Sequence, residues 1–210
     1  MSEPSAAQAL LDAARSLGRT GNVGTSGNLS VRQGEGMLIT PSGVPYEDLS
    51  LEDLVFVAAD GSSRGTLKPS SEWRFHRAIY AARREAGAVV HCHAPHATAL
   101  ACLERAIPAF HYEVAFAGGR DIRCAPYATF GTDALSEHVL AALADRRACL
   151  MAHHGLVCFH DDLPKALHLA ETVEQLARIY GLCLAMGEPA TLPDDEMERV
   201  LEKFRDYGPR

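Results

Sequence analysis

The segment AVVHCH, residues 88–93, contains two histidines separated by a single residue. Its apolar residues predict a short strand, and alternate side chains of a strand point to the same face. His91 and His93 are therefore expected to project together, with their Cβ atoms about 6–7 Å apart, while Cys92 points into the opposite core. Two imidazoles at that separation can bind one metal ion through metal–nitrogen bonds of about 2.0–2.1 Å. The same pattern is also typical of two half-exposed histidines, so only a third ligand would make it specific.

A second pair of histidines, His153 and His154, ends the apolar stretch CLMA and precedes Gly155. Adjacent residues of a strand face opposite sides, so at most one of the two can join the first pair. Because glycine allows a close approach of the backbone, we favour His154 as the third ligand and His153 as a neighbour. Three histidines leave a fourth position of a tetrahedral zinc ion open, which is typical of a catalytic metal.

Three further segments are rich in hydroxyl groups and backbone amides that could bind an anion. The segment KPSSEWRFH (68–76) places Ser70 and Ser71 at a predicted helix start, where free N–H groups attract phosphate, with Glu72 in the first turn. The segments GTSGNLS (24–30) and TPSGVP (40–45) contain glycines, whose amides can form an anion-binding nest. The first is not a P-loop, because no Gly-Lys-Ser/Thr follows, and not a dinucleotide motif, because a strand follows it. Each segment alone is typical of a plain turn or helix cap, but together with the histidines they predict a phosphate site.

Periodic elements account for the rest of the chain. Gly18 is expected to end the first helix, Gly87 the second, and Thr132 to cap the fourth. Short turns between several strands favour a mixed sheet with helices packed on it, in one domain spanning residues 1–210. The remaining histidines on helices, including His76, are expected to be surface or satisfied core residues. Helices are predicted at 5–17, 71–86, 95–104, 130–145, 162–186 and after Pro193, and strands at 29–32, 37–40, 54–61, 88–93 and 121–127. Residues 149–159 are predicted to form either a hairpin or one strand broken at Gly155.

Composition excludes several classes of protein. The 27 acidic and 20 basic residues give a net charge of −7, which argues against a nucleic-acid-binding protein. No window approaches the roughly 20 apolar residues that span a bilayer, and the first residues do not resemble a secretory signal. The six cysteines form no Cys-x-x-Cys pair, so we expect buried thiols in a reducing cytoplasm.

Taken in order, these segments resemble the class II (zinc) aldolase and adducin-head family, and within it most of all the aldolases that act on L-fuculose 1-phosphate. The resemblance implies an α/β fold, a three-layer α/β/α arrangement around a central mixed, mostly antiparallel sheet. It also implies a homotetramer with its sites at subunit interfaces. The resemblance covers nearly the whole chain, through GTSGNLSVR, MLITPSGVPYEDL, KPSSEWRFH, AVVHCHAPH, IPAFHYEVAFAGG, CAPYATFGT, MAHHGL and VLEKFRDYG.

The family's functional residues can be transferred to matching positions of this chain. The resemblance implies one zinc ion per subunit, bound by His91, His93 and His154. Glu72 would be a fourth ligand in the empty site and the catalytic base and acid. Tyr112 and Tyr207 would be catalytic tyrosines, with Tyr112 reaching a neighbouring subunit's site. The phosphate contacts would fall on Gly27, Asn28, Ser42, Gly43, Ser70 and Ser71.

The implied reaction is the reversible retro-aldol cleavage of L-fuculose 1-phosphate, or a closely related ketose 1-phosphate, to dihydroxyacetone phosphate and L-lactaldehyde or another aldehyde. Relatives that act on 5-deoxyribulose or methylthioribulose 1-phosphate, as aldolase or dehydratase, remain alternatives. An L-ribulose-5-phosphate 4-epimerase is disfavoured, because epimerases of the family have lysine where this chain has Thr40. The complete histidine and glutamate set argues against a non-enzymatic adducin-like module.

The lysines argue against the other aldolase mechanism, in which a lysine forms a Schiff base with the substrate. Such a lysine lies in an apolar pocket. The chain has only Lys68, Lys165 and Lys203, of which Lys68 alone is near the predicted site, and it precedes a proline in a loop. A metal-dependent reaction is therefore the better interpretation.

Overall fold

The computed structural model describes residues 5–19 and 26–205. Short 3-10 helices lie at Tyr46–Asp48, Leu51–Asp53 and Tyr112–Ala117. The α-helices are α1 (Ala6–Arg19), α2 (Trp73–Ala82), α3 (Pro95–Cys102), α4 (Asp133–Ala142), α5 (Leu163–Met186) and α6 (Asp194–Arg205). The strands are β1 (Asn28–Gln33), β2 (Gly36–Ile39), β3 (Val55–Val57), β4 (Ser63–Arg64), β5 (Ala88–Cys92), β6 (Cys124–Ala125), β7 (Ala148–Met151) and β8 (Gly155–His160).

The strands form one mixed sheet in the order β4-β3-β2-β1-β5-β8-β7-β6. Every neighbouring pair is antiparallel except β6 and β7, which are parallel. The predicted hairpin β1–β2 is present, and of the two alternatives for residues 149–159 the structure has the hairpin, β7–β8. The expected mixed, mostly antiparallel sheet is confirmed.

Alternation along β5 divides the interior into two cores. Val90 and Cys92 pack in the core beneath α1, α3 and α5, as predicted for Cys92. Val89 packs in the core beneath α2 and α4. His91 shares that second face, because its ring lies edge-on to Phe75 of α2. Helices therefore cover both faces of the sheet, and the predicted three-layer α/β/α arrangement is confirmed.

The ends of two helices differ from the prediction. Helix α1 continues through the expected stop at Gly18 to Arg19. Helix α2 ends at Ala82, four residues before the predicted end, and Arg83 is extended. Tertiary hydrogen bonds explain the early end, because the Arg83 guanidinium donates to the carbonyls of Leu143 and Arg146. The pattern of apolar residues along a helix does not reveal hydrogen bonds to distant parts of the chain.

The start of α2 also differs from the prediction. Neither Ser70 nor Ser71 occupies the cap position, which is held by Glu72 without a side-chain capping bond. The Ser70 hydroxyl oxygen instead accepts a hydrogen bond from the backbone N–H of Glu72, with 3.3 Å between Oγ and N. The Glu72 carboxylate is therefore available for contacts away from its own helix. At α4 the prediction holds, since the Thr132 side chain accepts the Leu135 amide.

Helix α5 is long, but none of the described helices combines the length and the hydropathy that crossing a bilayer requires.

Gly87 marks a place where the backbone is too close to a neighbour for any side chain. Its amide donates to His160 O at 2.8 Å, and an added Cβ would overlap the carbonyl oxygen of Asp161. We expect Gly87→Ala to lower the free energy of unfolding by about 1–3 kcal/mol, measured by urea denaturation. The matched control is Gly181→Ala in α5, where an added Cβ has no neighbour within 4 Å. There alanine is expected to raise stability by up to ~1 kcal/mol, and equal effects at both positions would contradict the prediction.

Candidate metal centre and active site

Three imidazole rings converge at the carboxyl end of β5, an interior strand of the sheet. His91 lies on β5, His93 directly follows it, and His154 lies in the turn between β7 and β8. Their ring centroids are 4.8–4.9 Å apart with interplanar angles of 67–78°. One ligand nitrogen from each ring lies within 4.8 Å of the other two. The predicted histidine set therefore meets around a common centre.

Strand pairing fixes the orientation of His91. Its Nδ1 lies 2.8 Å from the carbonyl oxygen of Leu156 on β8 and donates to it. The other nitrogen, Nε2, then points at the centre, 3.1 Å from Nε2 of His93. A backbone carbonyl that holds Nδ1–H in this way is the usual support of a metal-binding histidine. The ring is fully buried, so its orientation is set by the protein alone.

The Glu72 carboxylate faces the histidines. Its Oε2 lies 3.1 Å from His91 Nε2, and its Oε1 lies 3.2 Å from His154 Nε2. The residue is only 6% exposed, and Oε1 accepts no hydrogen bond from the described residues. Burial alone raises the pKa of Glu72, but His91 and His154 outweigh burial and hold that pKa well below its usual range. Glu72 is therefore a buried anion that needs positive charge beside it.

The histidines can hold that positive charge. Burial lowers the pKa of His91, but the Glu72 carboxylate outweighs burial and raises the pKa overall. Burial and the charges of His91 and His154 lower the pKa of His93 to about 4. Imidazole nitrogens together with a carboxylate oxygen are the donors that zinc prefers. The residues present therefore fit a divalent cation.

The neighbouring His153 takes no part in this cluster. Its backbone has φ of 54°, and its Nε2 lies 3.1 Å from Glu104 Oε1 at the surface. Gly155 has the close approach expected of it, because an added Cβ would lie 2.5 Å from Cys92 O and 3.0 Å from His93 Cδ2. The preference for His154 over His153 in the cluster thus agrees with the geometry.

A cavity of about 330 Å³ opens beside the cluster. All six residues expected to bind phosphate line it, together with Glu72, His93 and His154. His91 lies behind this lining. The full lining is Ser26, Gly27, Asn28, Pro41, Ser42, Gly43, Ser70, Ser71, Glu72, His93, Tyr127, Ala128, Phe130, His153 and His154.

Backbone pairing ties two of the hydroxyl-rich segments together. The Ser42 amide donates to Lys68 O at 3.2 Å, and the Ser70 amide donates to Thr40 O at 3.1 Å. These two amides are therefore engaged, contrary to the expectation that Ser70 offers a free N–H group. The serine side chains remain as possible donors to an anion. Of the glycine-rich segment, Gly24 and Thr25 lie outside the described residues.

Of the two tyrosines expected to be catalytic, the structure describes only Tyr112, and Tyr112 does not lie at this cavity. Tyr112 begins the 3-10 helix Tyr112–Ala117, is 48% exposed, and has its ring 6.1 Å from that of Phe204. It does not line the cavity of its own chain. Tyr207 lies outside the described residues.

Sequence reasoning did not link the buried side chain of His76 to Glu72, which it reaches through Asn28. The Asn28 side-chain amide donates to Glu72 Oε2 at 2.9 Å, and its oxygen lies 2.5 Å from Nε2 of His76. His76 was expected only to be a surface or satisfied core residue. The signal that could have found it is its place one helical turn after Glu72, combined with the alternation of Asn28 and Ser30 on β1.

Comparison with known proteins identifies the family. Residues 8–181 match the family described as Class II Aldolase and Adducin N-terminal domain. The chain belongs to this family. The family resemblance seen in the sequence is thereby confirmed.

Individual relatives of the family define the class of enzyme. The chain is 59% identical over 200 residues to a 5-methylthioribulose-1-phosphate/5-deoxyribulose-1-phosphate aldolase of Rhodospirillum rubrum, covering 95% of the chain and 90% of the relative. It is 52% identical over 206 residues to an L-fuculose phosphate aldolase of Escherichia coli K12, covering 97% and 96%. A solved L-fuculose 1-phosphate aldolase matches with a TM-score of 0.93 and 40% identity, covering 98% of each chain. The chain is a metal-dependent lyase of the class II aldolase type, and these relatives differ in the substrate that they name.

The histidine cluster predicts the metal content of the protein. We expect the dialysed chain to retain about one divalent cation per chain, measured by elemental analysis. Replacing His154 by alanine removes one of three nitrogen ligands, and affinity in a chelator competition should fall more than about 100-fold. The matched control, His153→Ala, should keep wild-type affinity, because His153 points away from the cluster. Equal losses in the two variants would contradict this assignment.

Proposed function

We propose that this chain cleaves a ketose 1-phosphate reversibly to dihydroxyacetone phosphate and an aldehyde, with zinc as its resident cation. The observation that supports this most strongly is the shared cavity. The Glu72 carboxylate and two of the three cluster histidines line the same 330 Å³ space as six small polar residues suited to phosphate. A substrate phosphate bound there would hold the ketone next to the histidine cluster. Its binding energy would thereby keep the ketone oriented towards the cluster.

Glu72 is the proposed base and acid for the carbon-bound proton. In the cleavage direction the C4 hydroxyl gives up its proton, the bond between C3 and C4 breaks, and its electrons pass to the C2 carbonyl. Glu72, after taking up a proton from water in the cavity, then delivers that proton to C3. In the synthetic direction Glu72 removes that proton. When bound, the divalent cation supplies a Lewis acid that stabilises negative charge on the ketone oxygen. The buried Oε1 of Glu72, which accepts no hydrogen bond from the described residues, is the atom we assign to this proton.

Tyr112 is the proposed acid and base at the aldehyde oxygen, and it would act on the site of a neighbouring subunit. Its exposure and its absence from its own chain's cavity support this arrangement. The proposal requires an oligomer, which we take to be the homotetramer implied by the family. Tyr207 is proposed to assist there. In such an assembly each active site would need two chains.

The aldehyde end of the substrate is proposed to be apolar. L-fuculose 1-phosphate and 5-deoxyribulose 1-phosphate both end in a methyl group, and methylthioribulose 1-phosphate ends in a thiomethyl group. Phe130 and Tyr127 are exposed aromatic residues at the cavity. They could contact such an end and would tolerate its variation. L-fuculose 1-phosphate is our first candidate, and the 59% identical relative favours the other two as the second.

Other properties follow from the same proposal. Thr40 is fully buried and its hydroxyl accepts the Leu29 amide, so it offers the cavity no lysine-like group, which supports an aldolase over an epimerase. We propose that residues 1–210 act as one domain, without nucleic acid or membrane as partner. A cytoplasmic location is supported by six cysteines that are all free thiols.

A panel of phosphorylated ketoses tests the proposed reaction. We expect release of dihydroxyacetone phosphate from L-fuculose, 5-deoxyribulose or methylthioribulose 1-phosphate, followed by a coupled reductase assay. L-ribulose 5-phosphate should give no epimer. Conversion of that compound alone would contradict the aldolase proposal. Covalent trapping with borohydride would contradict the metal-dependent mechanism.

Removing the charge of Glu72 tests its role. We expect Glu72→Gln to fold normally and to lower kcat by about 10²–10⁴-fold, because the amide cannot exchange the proton at C3. Solvent-deuterium exchange at dihydroxyacetone phosphate, followed by NMR, should fall in parallel. Glu104→Gln is the control, since Glu104 pairs with His153 at the surface. Wild-type exchange in Glu72→Gln would contradict the role.

Mixing two inactive variants tests the shared site. Glu72→Gln and Tyr112→Phe chains, dissociated together and reassociated in equal amounts, should regain activity in about one quarter of the sites. Each restored site would take Glu72 from one chain and Tyr112 from its neighbour. No gain over the separately treated variants would contradict a site built from two subunits.

A further inference from the structure

A chain of hydrogen bonds runs from the Glu72 carboxylate into the core beneath α2. Asn28 Nδ2 donates to Glu72 Oε2 at 2.9 Å, and His76 Nε2 lies 2.5 Å from Asn28 Oδ1. On the other side of the ring, His76 Nδ1 lies 2.7 Å from Ser30 Oγ, which lies 2.9 Å from the Tyr80 hydroxyl. All five residues are buried, and His76 is 0% exposed. Each polar atom of the His76 ring therefore has one partner.

The direction of the chain follows from the carboxylate. An ionised carboxylate only accepts hydrogen bonds, so Asn28 must present its NH₂ group to Glu72 and its oxygen to His76. His76 must then donate from Nε2. If the ring is neutral, Nδ1 accepts from Ser30, and Ser30 in turn accepts from Tyr80. Every donor in the series then points towards Glu72.

The surroundings keep the His76 ring neutral. Its hydrogen-bond partners, Asn28 and Ser30, carry no charge. Burial and the charge of His91 lower the pKa of His76 to about 3, against a smaller opposing effect of Glu72. Burial also raises the pKa of Tyr80, so that its hydroxyl keeps the proton that it donates. The Nε2–H tautomer of His76 is therefore the form that satisfies the whole chain.

We propose that His76 is a positioning residue, whose Nε2–H group fixes the Asn28 amide with its NH₂ towards Glu72 and thereby orients the catalytic carboxylate. The proposal rests on the proposed role of Glu72. A rotation of the Asn28 amide by 180° would place its oxygen against the carboxylate and its NH₂ against a donor. Both contacts would then be repulsive. His76 thus favours one of the two orientations of the Asn28 amide. An apolar residue at position 76 would not distinguish between them.

Substitutions of His76 test the proposal through two readouts. His76→Leu fills much of the space but offers no donor, whereas His76→Gln can place an amide N–H near the position of Nε2. We expect His76→Leu to lower both kcat and the affinity of the apo-protein for zinc, in chelator competition, by about 10–100-fold. His76→Gln should recover most of both losses. Equal losses in the two variants would overturn the proposal.

Ile79→Val is the control for a general loss of packing in α2. Ile79 is fully buried on the same helix and makes only apolar contacts. It should lower the unfolding midpoint while leaving kcat and zinc affinity within about 2-fold of wild type. A drop in zinc affinity with Ile79→Val as large as that with His76→Leu would show that His76 acts only through stability.

A double-mutant cycle identifies the residue through which His76 acts. If His76 acts through Asn28, His76→Leu should have little further effect on zinc affinity in an Asn28→Ala background. Additive losses would overturn the proposal. A wild-type chain that cleaves no ketose phosphate would contradict the proposed function and leave this binding cycle interpretable.

The tautomer gives a third readout that needs neither substrate nor metal. In the apo-protein labelled with ¹⁵N-histidine, long-range ¹H–¹⁵N correlations should identify His76 as neutral with its proton on Nε2 near pH 7. The assignment would come from the signal lost in His76→Gln. A proton on Nδ1, or on both nitrogens, would reverse the direction of the hydrogen bonds and overturn the proposal.

Discussion

The site depends on one buried anion. A carboxylate almost without access to water is costly unless charge and hydrogen bonds surround it. Glu72 is surrounded on both sides, by the histidine cluster at the cavity and by the Asn28 amide towards the core. The two sides differ in kind. An imidazole can gain or lose a proton, and its charge then changes, whereas the Asn28 amide supplies a fixed dipole. The orientation of the carboxylate from the core side is therefore set by a group whose charge does not change.

Antiparallel pairing makes this arrangement possible. Strand β5 lies between β1 and β8, and Asn28 of β1 is the register partner of His91. The carbonyl of Leu156 on β8 holds His91 from the other neighbour. The amide partner of the carboxylate and its first histidine are thus held by two interior strands of the sheet, β1 and β5, where both edges of β5 are paired.

The cavity of one chain brings together some of the residues expected in an aldolase site, and Tyr112 is not among them. The metal ligands, the carboxylate and the hydroxyl-rich segments lie together, while the aromatic side chains at the cavity remain exposed. Tyr112 lies on a separate surface with Phe204. Such a division suits an enzyme whose cofactor site is built within one fold and whose aldehyde end is completed by contact with another subunit.

The sequence by itself determined the β1–β2 hairpin, the long helix α5, the pairing of His91 with His93, and the choice of His154 over His153. All of these follow from periodicity and glycine placement, which are properties of near neighbours along the chain. Tertiary structure alone decided where α2 begins and ends. It also decided that the Glu72 carboxylate contacts Asn28 and that His76 contacts the same amide. The end of α2 depends on hydrogen bonds between residues 60 and 63 positions apart, and the surroundings of Glu72 and His76 depend on bonds between residues 44 and 48 positions apart. Strand register and helix docking set such bonds, and local patterns contain no information about either.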